Sequence, residues 1–336
     1  LFVRPLDGTE ARPLPGTRGA QVPVISADGK WVAFWADGAI RKVPLAGGPA
    51  SVMAEEVPYP PAGMDWGATG LLVYDLPRFG AWTIWQVRAG GKPEAVTTLG
   101  EGELMHLMPH LLPGDEEILF TVRRRYITAG DEAVVAQVLA SGERKVLLPN
   151  ATDARYLPPG RLLFMREGTL FGAPFNPGRR EVAGQPVALL EGISHALTST
   201  TDWDVTGAGQ IAVSSVGDLA YIPSPPVRWP QSRLVTVDRT GGVEALPAPA
   251  RGYGALDVSP DGSQLAVSIY SPTEVGIWIY DLTRQTLTRL TPPEGESYFP
   301  RWSPDGKRIV FDSLESGIRT LRWQRSDGSA PPELLA

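Results

Sequence analysis

A short strand, a tight turn and a second strand recur along this chain, and that recurrence constrains the fold more than any other feature. The clearest copy runs from Tyr298 to Phe311, YFPRWSPDGKRIVF. Within it, Pro304 presets the backbone for a turn, Asp305 can accept a local backbone hydrogen bond, and Gly306 tolerates φ > 0. Ile309 to Phe311 then reads as a buried strand. Related hairpins place turn glycines at Gly29, Gly70, Gly114, Gly160, Gly217, Gly262 and Gly306, spaced by 41, 44, 46, 57, 45 and 44 residues. Each hairpin is followed by two further strand-like stretches. A period in the mid-forties with four short strands per unit predicts an all-β fold, a β-propeller of four-stranded antiparallel blades. Such a blade has two apolar faces and buries both only by stacking on its neighbours.

The repeats begin near residues 20, 62, 107, 152, 207, 254 and 298 of a single propeller domain covering 1–336. Seven hairpins predict seven blades; eight with one incomplete is the alternative. Residues 1–17 resemble the outer strands of an incomplete or ring-closing blade, because the fourth strand of the last unit, near Pro332 to Leu335, is poor. The fifth unit is the least regular. Its turn is placed at Ser214 to Gly217, after an extended lead-in from Ser194 to Thr206. Arg233 to Val237 and Val243 to Leu246 are its outer strands.

Composition agrees with many turns and a folded core. Glycine (37) and proline (33) together make about a fifth of the chain, without a collagen period. Net charge is −6, which argues against phosphate-backbone binding and so against a nucleic-acid partner. The basic run Arg123-Arg124-Arg125 reads as a solvated strand end or loop. No cysteine is present, so disulfides and thiolate metal sites are excluded. No apolar run is long enough to span a bilayer. The chain begins at Leu1 within a strand-like stretch, as a fragment or processed chain would.

The Pro-x-Trp-Ser-Pro-Asp-Gly-Lys pattern at 300–307, followed by an apolar strand, resembles the TolB-like, WD-repeat-like propellers. The chain is similar in particular to propeller regions that follow the kinase domain in bacterial membrane-anchored serine/threonine kinases. Leu1 to Pro15, Leu163 to Pro174 and Tyr298 to Phe311 carry that likeness. The resemblance implies a part of a larger bacterial protein, periplasmic or extracytoplasmic. The chain itself carries no kinase hallmark.

Chemistry is expected among residues that differ between repeats. Positions just before each first-strand proline, or its counterpart, are predicted to lie at the mouth of a central channel. Gln21, Tyr253 and Tyr298 are the candidates there for binding a ligand. Glu103, His106, Asp153, His195, Asp202 and Asp204 are candidates for a mixed nitrogen and oxygen site holding a divalent Ca, Zn or Mn ion. The bland reading of the same residues is separate polar loops at a wet entrance. His106 and His110 are not a zinc pair on a strand, where i and i+4 lie about 13 Å apart. Asp28, Asp261 and Asp305 recur at the blade period and read as turn residues. Trp31, Trp66, Trp278 and Trp302 read as packing.

Two functions fit. The first is a binding, sensor or scaffold domain that recognises a protein, peptide or small-molecule ligand at the channel mouth. The second is a metal-dependent hydrolase of lactones, esters or phosphotriesters, in which His106, His195 and Asp202 are the catalytic candidates and a channel ion activates water. A peptidase-associated propeller is weaker, because no hydrolase half is present.

Overall fold

The computed structural model describes residues 1–5, 8–78, 81–124, 131–196, 206–214, 216–224, 231–271, 274–315 and 318–335. They form antiparallel β-sheets and one 3₁₀ turn, Pro177–Arg179, with no α-helix among the described residues. The architecture is all-β, built of four-stranded β-propeller blades. Among the described residues no helix is long and apolar enough to cross a membrane. The chain groups into two compact units, one drawn from 1–124, 131–195 and 206–226 and the other mainly from 227–336.

In the first unit, blade one contains Gln21–Ile25, Trp31–Ala36, Ala39–Pro44 and Ser51–Ala54 in sequential order. Among the described residues Phe2–Val3 and Arg12–Pro13 pair only with each other, and Leu14 packs into the cluster of Val32, Phe34 and Val43. Blade two is Met64–Trp66, Leu71–Arg78, Ala81–Arg88 and Glu94–Ala95. Blade three is Met105–Leu111, Glu117–Arg123, Ala133–Val138 and Arg144–Pro149. A parallel bridge from Met105 to Trp82 joins these two blades into one eight-stranded sheet. Blade four is Thr152–Leu157, Arg161–Arg166 and Thr169–Asn176, with Glu181–Val182 and Val187–Leu190 both paired to its third strand.

The second unit holds blade six, Gly252–Val258, Gln264–Tyr270, Val275–Asp281 and Thr286–Arg289, and blade seven, Glu296–Trp302, Arg308–Glu315, Ile318–Arg325 and Glu333–Leu334. Blade seven thus has its own fourth strand, two residues long, in the place where a borrowed N-terminal strand was expected. The fifth repeat is two separate hairpins, Ile211–Val213 with Leu219–Tyr221 and Val235–Val237 with Val243–Ala245, which fall in different units.

The turn chemistry is what the repeat predicts. All seven turn glycines have positive φ, from +68° to +124°. In three copies a serine and an aspartate close the turn in the same way. Ser26, Ser259 and Ser303 each donate a hydroxyl to Asp28, Asp261 and Asp305 at 2.6 Å. The same aspartates accept the backbone N–H of Lys30, Ser263 and Lys307 at 3.0 Å. These aspartates are structural, and the serine hydrogen bond holds each below the usual carboxylate range.

First strands of successive blades are tied by a carboxylate. Asp65 accepts the backbone N–H of Leu111 at 2.7 Å, 46 residues on. Asp257 accepts that of Trp302 at 2.8 Å, 45 residues on. A second tie comes from the neighbouring strand: Asp75 accepts the N–H of Met108 at 2.9 Å, and Thr121 accepts that of Asp153 at 3.0 Å. Met108 and Asp153, which this second tie reaches, sit in bulges. Register shifts interrupt the first strands of blades one, three, four, six and seven. Val22, Met108, Asp153 and Phe299 there adopt φ between +46° and +54°. Side chains other than glycine rarely take this conformation, and at Met108 and Asp153 the seam bonds hold the bulge in place.

Candidate functional site

In the first unit, the first strands of blades one to four lie side by side. The bulge re-aims the side chains that follow it, and three positions after each bulge begins stand Val24, His110 and Arg155. His110 is about 25% exposed, and so is Asp65 of the preceding blade; His110 Nδ1 lies 3.1 Å from Asp65 Oδ2. Asp65 is itself fixed by the N–H groups of Leu111 and Trp66, at 2.7 and 3.0 Å. Burial opposes its ionisation, but the His110 imidazole and those two N–H groups hold the carboxyl below its ordinary value. An ionised carboxylate only accepts, so His110 donates from Nδ1 and leaves Nε2 directed away from this pair.

Arg155 continues the row. Its Nε and Nη2 donate to the two oxygens of Asp153, both at 3.1 Å, and its Nη1 donates to the Ile211 carbonyl at 2.8 Å. Burial works against the guanidinium charge, yet Asp153 and then Asp65 hold it above its ordinary value. Asp65 therefore interacts with both His110 and Arg155. Gln21, at the start of the blade-one bulge, is exposed.

The other predicted residues are placed differently. His106 is fully buried. Thr97 accepts the Ile84 N–H at 2.8 Å and lies 2.9 Å from His106 Nδ1, while His106 Nε2 lies 2.9 Å from Glu103. With Glu103 ionised, His106 donates from Nε2 and accepts from the Thr97 hydroxyl at Nδ1. Glu103 also accepts the Gly100 N–H at 2.6 Å and Arg144 Nη1 at 3.2 Å. The His106 hydrogen bond, against the cost of burial, pulls the Glu103 carboxyl down to about 2. The order threonine, histidine, carboxylate is that of a nucleophile triad. Here, however, Thr97 is buried and its oxygen is already bonded to the backbone. The network locks blade two to blade three. Blade six repeats the threonine contact alone: Thr291 accepts the Ile277 N–H at 3.0 Å.

His195 is also enclosed. Its Nδ1 accepts the Gly168 N–H at 3.0 Å, and its Nε2 faces the Gly207 carbonyl at 3.0 Å and the Thr152 hydroxyl at 2.9 Å. Burial pushes its pKa down to about 4. Asp153 is occupied by Arg155 and by the Gly209 N–H at 2.9 Å. The structure thus joins Glu103 to His106 and sets Asp153 near His195, in two networks whose donors are already engaged. Among the described residues no three histidine, aspartate or glutamate side chains converge as a metal site. Asp202 and Asp204 lie outside the described residues.

The two tyrosines expected at a wet mouth are interior. Tyr298 is fully buried and its hydroxyl donates to Glu296. Tyr253 is 7% exposed and donates to the Pro249 carbonyl at 2.7 Å. The physical reason is parity. Side chains alternate along a strand, so a shift of one residue at the bulge exchanges the face against the next blade for the open one. His110, Asp65 and Arg155 were not singled out by the sequence as one row, since only pairing between blades brings them together.

No family model matches the chain. An uncharacterized protein of Agrobacterium fabrum is 27% identical over 177 residues, which cover 52% of this chain and 54% of that relative. The chain therefore spans about half the length of the curated relative it matches. Among solved structures, the putative TolB from Agrobacterium tumefaciens is 14% identical, with 94% of this chain and 80% of that chain covered and a TM-score of 0.33. The β-propeller domain of Myceliophteria thermophila Cps50 is 14% identical, with coverage of 91% and 97% and a TM-score of 0.41.

Proposed function

We propose that this chain is a non-catalytic propeller module that binds a protein, peptide or small-molecule ligand through the polar row of its first strands. The observation that carries the reading is the contrast between the histidines. His106 and His195 have both ring nitrogens engaged inside the blades, whereas His110 is part-exposed beside Asp65. Buried, satisfied networks serve the fold. Part-exposed polar side chains on rigid strands are suited to recognition. The hydrolase reading would need a water-activating ion or base at His106 or His195, and both would first have to leave their partners.

The test is selection of peptides from a displayed random library against the wild-type protein, repeated with the Gln21→Ala/His110→Ala variant. The variant is expected to fold normally and to lose the selected peptides. Peptides that bind both proteins equally would place recognition elsewhere.

A further inference from the structure

The two buried histidines differ in what holds them. His106 meets the Thr97 hydroxyl at Nδ1 and the Glu103 carboxylate at Nε2, at 2.9 Å each. A hydroxyl both donates and accepts, so Thr97 can turn to receive a proton placed on Nδ1. His195 has no such freedom. Its Nδ1 accepts the Gly168 N–H at 3.0 Å, and a backbone N–H only donates. The neutral ring therefore carries its proton on Nε2, which faces the Gly207 carbonyl at 3.0 Å and the Thr152 hydroxyl at 2.9 Å. A second proton, on Nδ1, would set one N–H against another inside a buried site. The arrangement accepts the neutral imidazole alone.

What this ring holds is the entry to the fifth repeat. Residues 207–209 lie so close to blade four that a Cβ on Gly207 would fall 2.9 Å from Thr152 Cγ2, and one on Gly209 2.7 Å from Met165 Cγ. Gly207 is fastened by His195, and the Gly209 N–H by Asp153 at 2.9 Å. Beyond them, Ile211–Val213 and Leu219–Tyr221 make a hairpin of two three-residue strands. A two-stranded hairpin of that size is not stable by itself. Ile211 and Val213 seat it on Leu163, Met165, Leu170 and Ile193. Ser194, next to His195, accepts the Gln210 N–H at 2.8 Å and donates its own to the Ile222 carbonyl at 2.9 Å. Displacing the imidazole therefore loosens the whole seat.

The charges around the ring do not rescue an imidazolium. Asp153 favours it, but both Asp153 oxygens are engaged by Arg155. Arg123 opposes it, with Glu132 beside that guanidinium at 3.4 Å. On the turn that supplies Gly168, Glu167 is exposed and Arg166 donates to the Asn150 carbonyl at 3.0 Å. Burial is the largest influence and pushes the His195 pKa down to about 4.

We infer that His195 is an acid-sensitive latch. On taking a proton from solvent at Nδ1 it gives up the Gly168 N–H and releases residues 206–213, with their hairpin, from blade four before the protein unfolds globally. The release uncovers the apolar face formed by Met165, Ile193 and Ile211. No covalent step is involved.

The experiment is hydrogen exchange read by mass spectrometry at two pH values, corrected for the intrinsic pH dependence of exchange. Peptides covering 206–213 are compared with Trp31–Ala36 of blade one as the reference. With a pKa of about 4 when latched and about 6.5 when released, protection of 206–213 is expected to fall about thirtyfold from about pH 7.5 to about pH 5, while the reference is unchanged. His195→Gln offers an oxygen to Gly168 and an N–H to Gly207 but takes up no proton, so its protection at 206–213 should be the same at both pH values. His195→Ala should show low protection there at both, with blade one intact. Constant protection in the wild type, or an equal loss in blade one, would overturn the latch. A pH response that persists in His195→Gln would assign the proton to another group, such as Asp153, and would overturn it too.

Discussion

The Asp257 carboxylate accepts the backbone N–H of Trp302 at 2.8 Å, joining the first strands of two successive blades across 45 residues of chain. Asp65 does the same for Leu111 in the other unit. A strand edge facing its neighbour at this point has an N–H that no ladder satisfies, and the carboxylate supplies the acceptor. Asp257→Ala is therefore expected to lower stability by about 1–3 kcal/mol, the usual cost of losing a hydrogen bond to a charged group. Asp257→Asn, which retains one acceptor oxygen, should lose less. Denaturant midpoints of the two variants check this ordering, and equal midpoints would contradict it.

Gly254 occupies the blade-six bulge, where the Tyr270 ring passes so close that a Cβ would lie 1.9 Å from Cε2. Gly254→Ala must push that ring aside. The expected cost is about 1–3 kcal/mol, as for other overpacked interiors. Combining it with Tyr270→Leu, which removes the obstructing ring, should cost less than the two single changes added together. A double-mutant cycle of unfolding free energies measures the coupling.

His106 is expected to behave as a structural residue. His106→Ala removes the partner of Glu103 and of Thr97 inside a fully buried site, and should destabilise by about 1–3 kcal/mol. Thr97→Val should also destabilise, because the Ile84 N–H then lacks its acceptor. Thermal unfolding followed by circular dichroism reads both changes. An unchanged melting temperature in both variants would remove the lock between blades two and three.

The pH dependence should contain opposed contributions, from the buried Asp75 on one side and the buried histidines on the other. Burial pushes the Asp75 carboxyl up to about 7, against the N–H groups of Met108, Ala62 and Gly63. Its folded pKa exceeds the unfolded one, so its contribution is complete below about pH 4 and is lost as pH rises through 7. His195 runs the other way. With a folded pKa near 4, its contribution is present above the unfolded value of about 6.5 and is lost as pH falls. Relative to the wild type, His195→Gln should remove part of the rise in stability over about pH 4 to 6.5, whereas Asp75→Asn should remove the decline from about pH 4 to 7. Urea unfolding across that range separates the two. Parallel profiles for the two variants would refute the assignment.

Much of the fold was legible because the turn is local. Ser303, Asp305 and Gly306 lie within four residues, and their hydrogen bonds and positive φ follow from residue type alone. The same holds at Ser26 and Ser259. The fifth repeat was harder to read. Its two hairpins are present near the expected residues, but pairing between them is a long-range choice that local pattern does not encode. The short fourth strand of blade seven was discounted for its composition, yet Glu333–Leu334 pairs with Trp323 and Arg322.

The site was less legible, for a geometric reason. His106 and His110 are four residues apart and would share a face on a regular strand. The bulge between Leu107 and His110 intervenes, leaving His106 enclosed with Glu103 and His110 part-exposed beside Asp65. Tyr298 precedes the corresponding bulge of blade seven and is buried.

The amino-acid sequence by itself determined the repeat, the turns and the four-stranded blade, because each is specified by residues close together in the chain. Tertiary structure decided which polar residues became structural ties and which stayed part-exposed. That outcome depends on one-residue shifts at the first-strand bulges, and those shifts are held by partners such as Asp75 for Met108 and Thr121 for Asp153, 33 and 32 residues away.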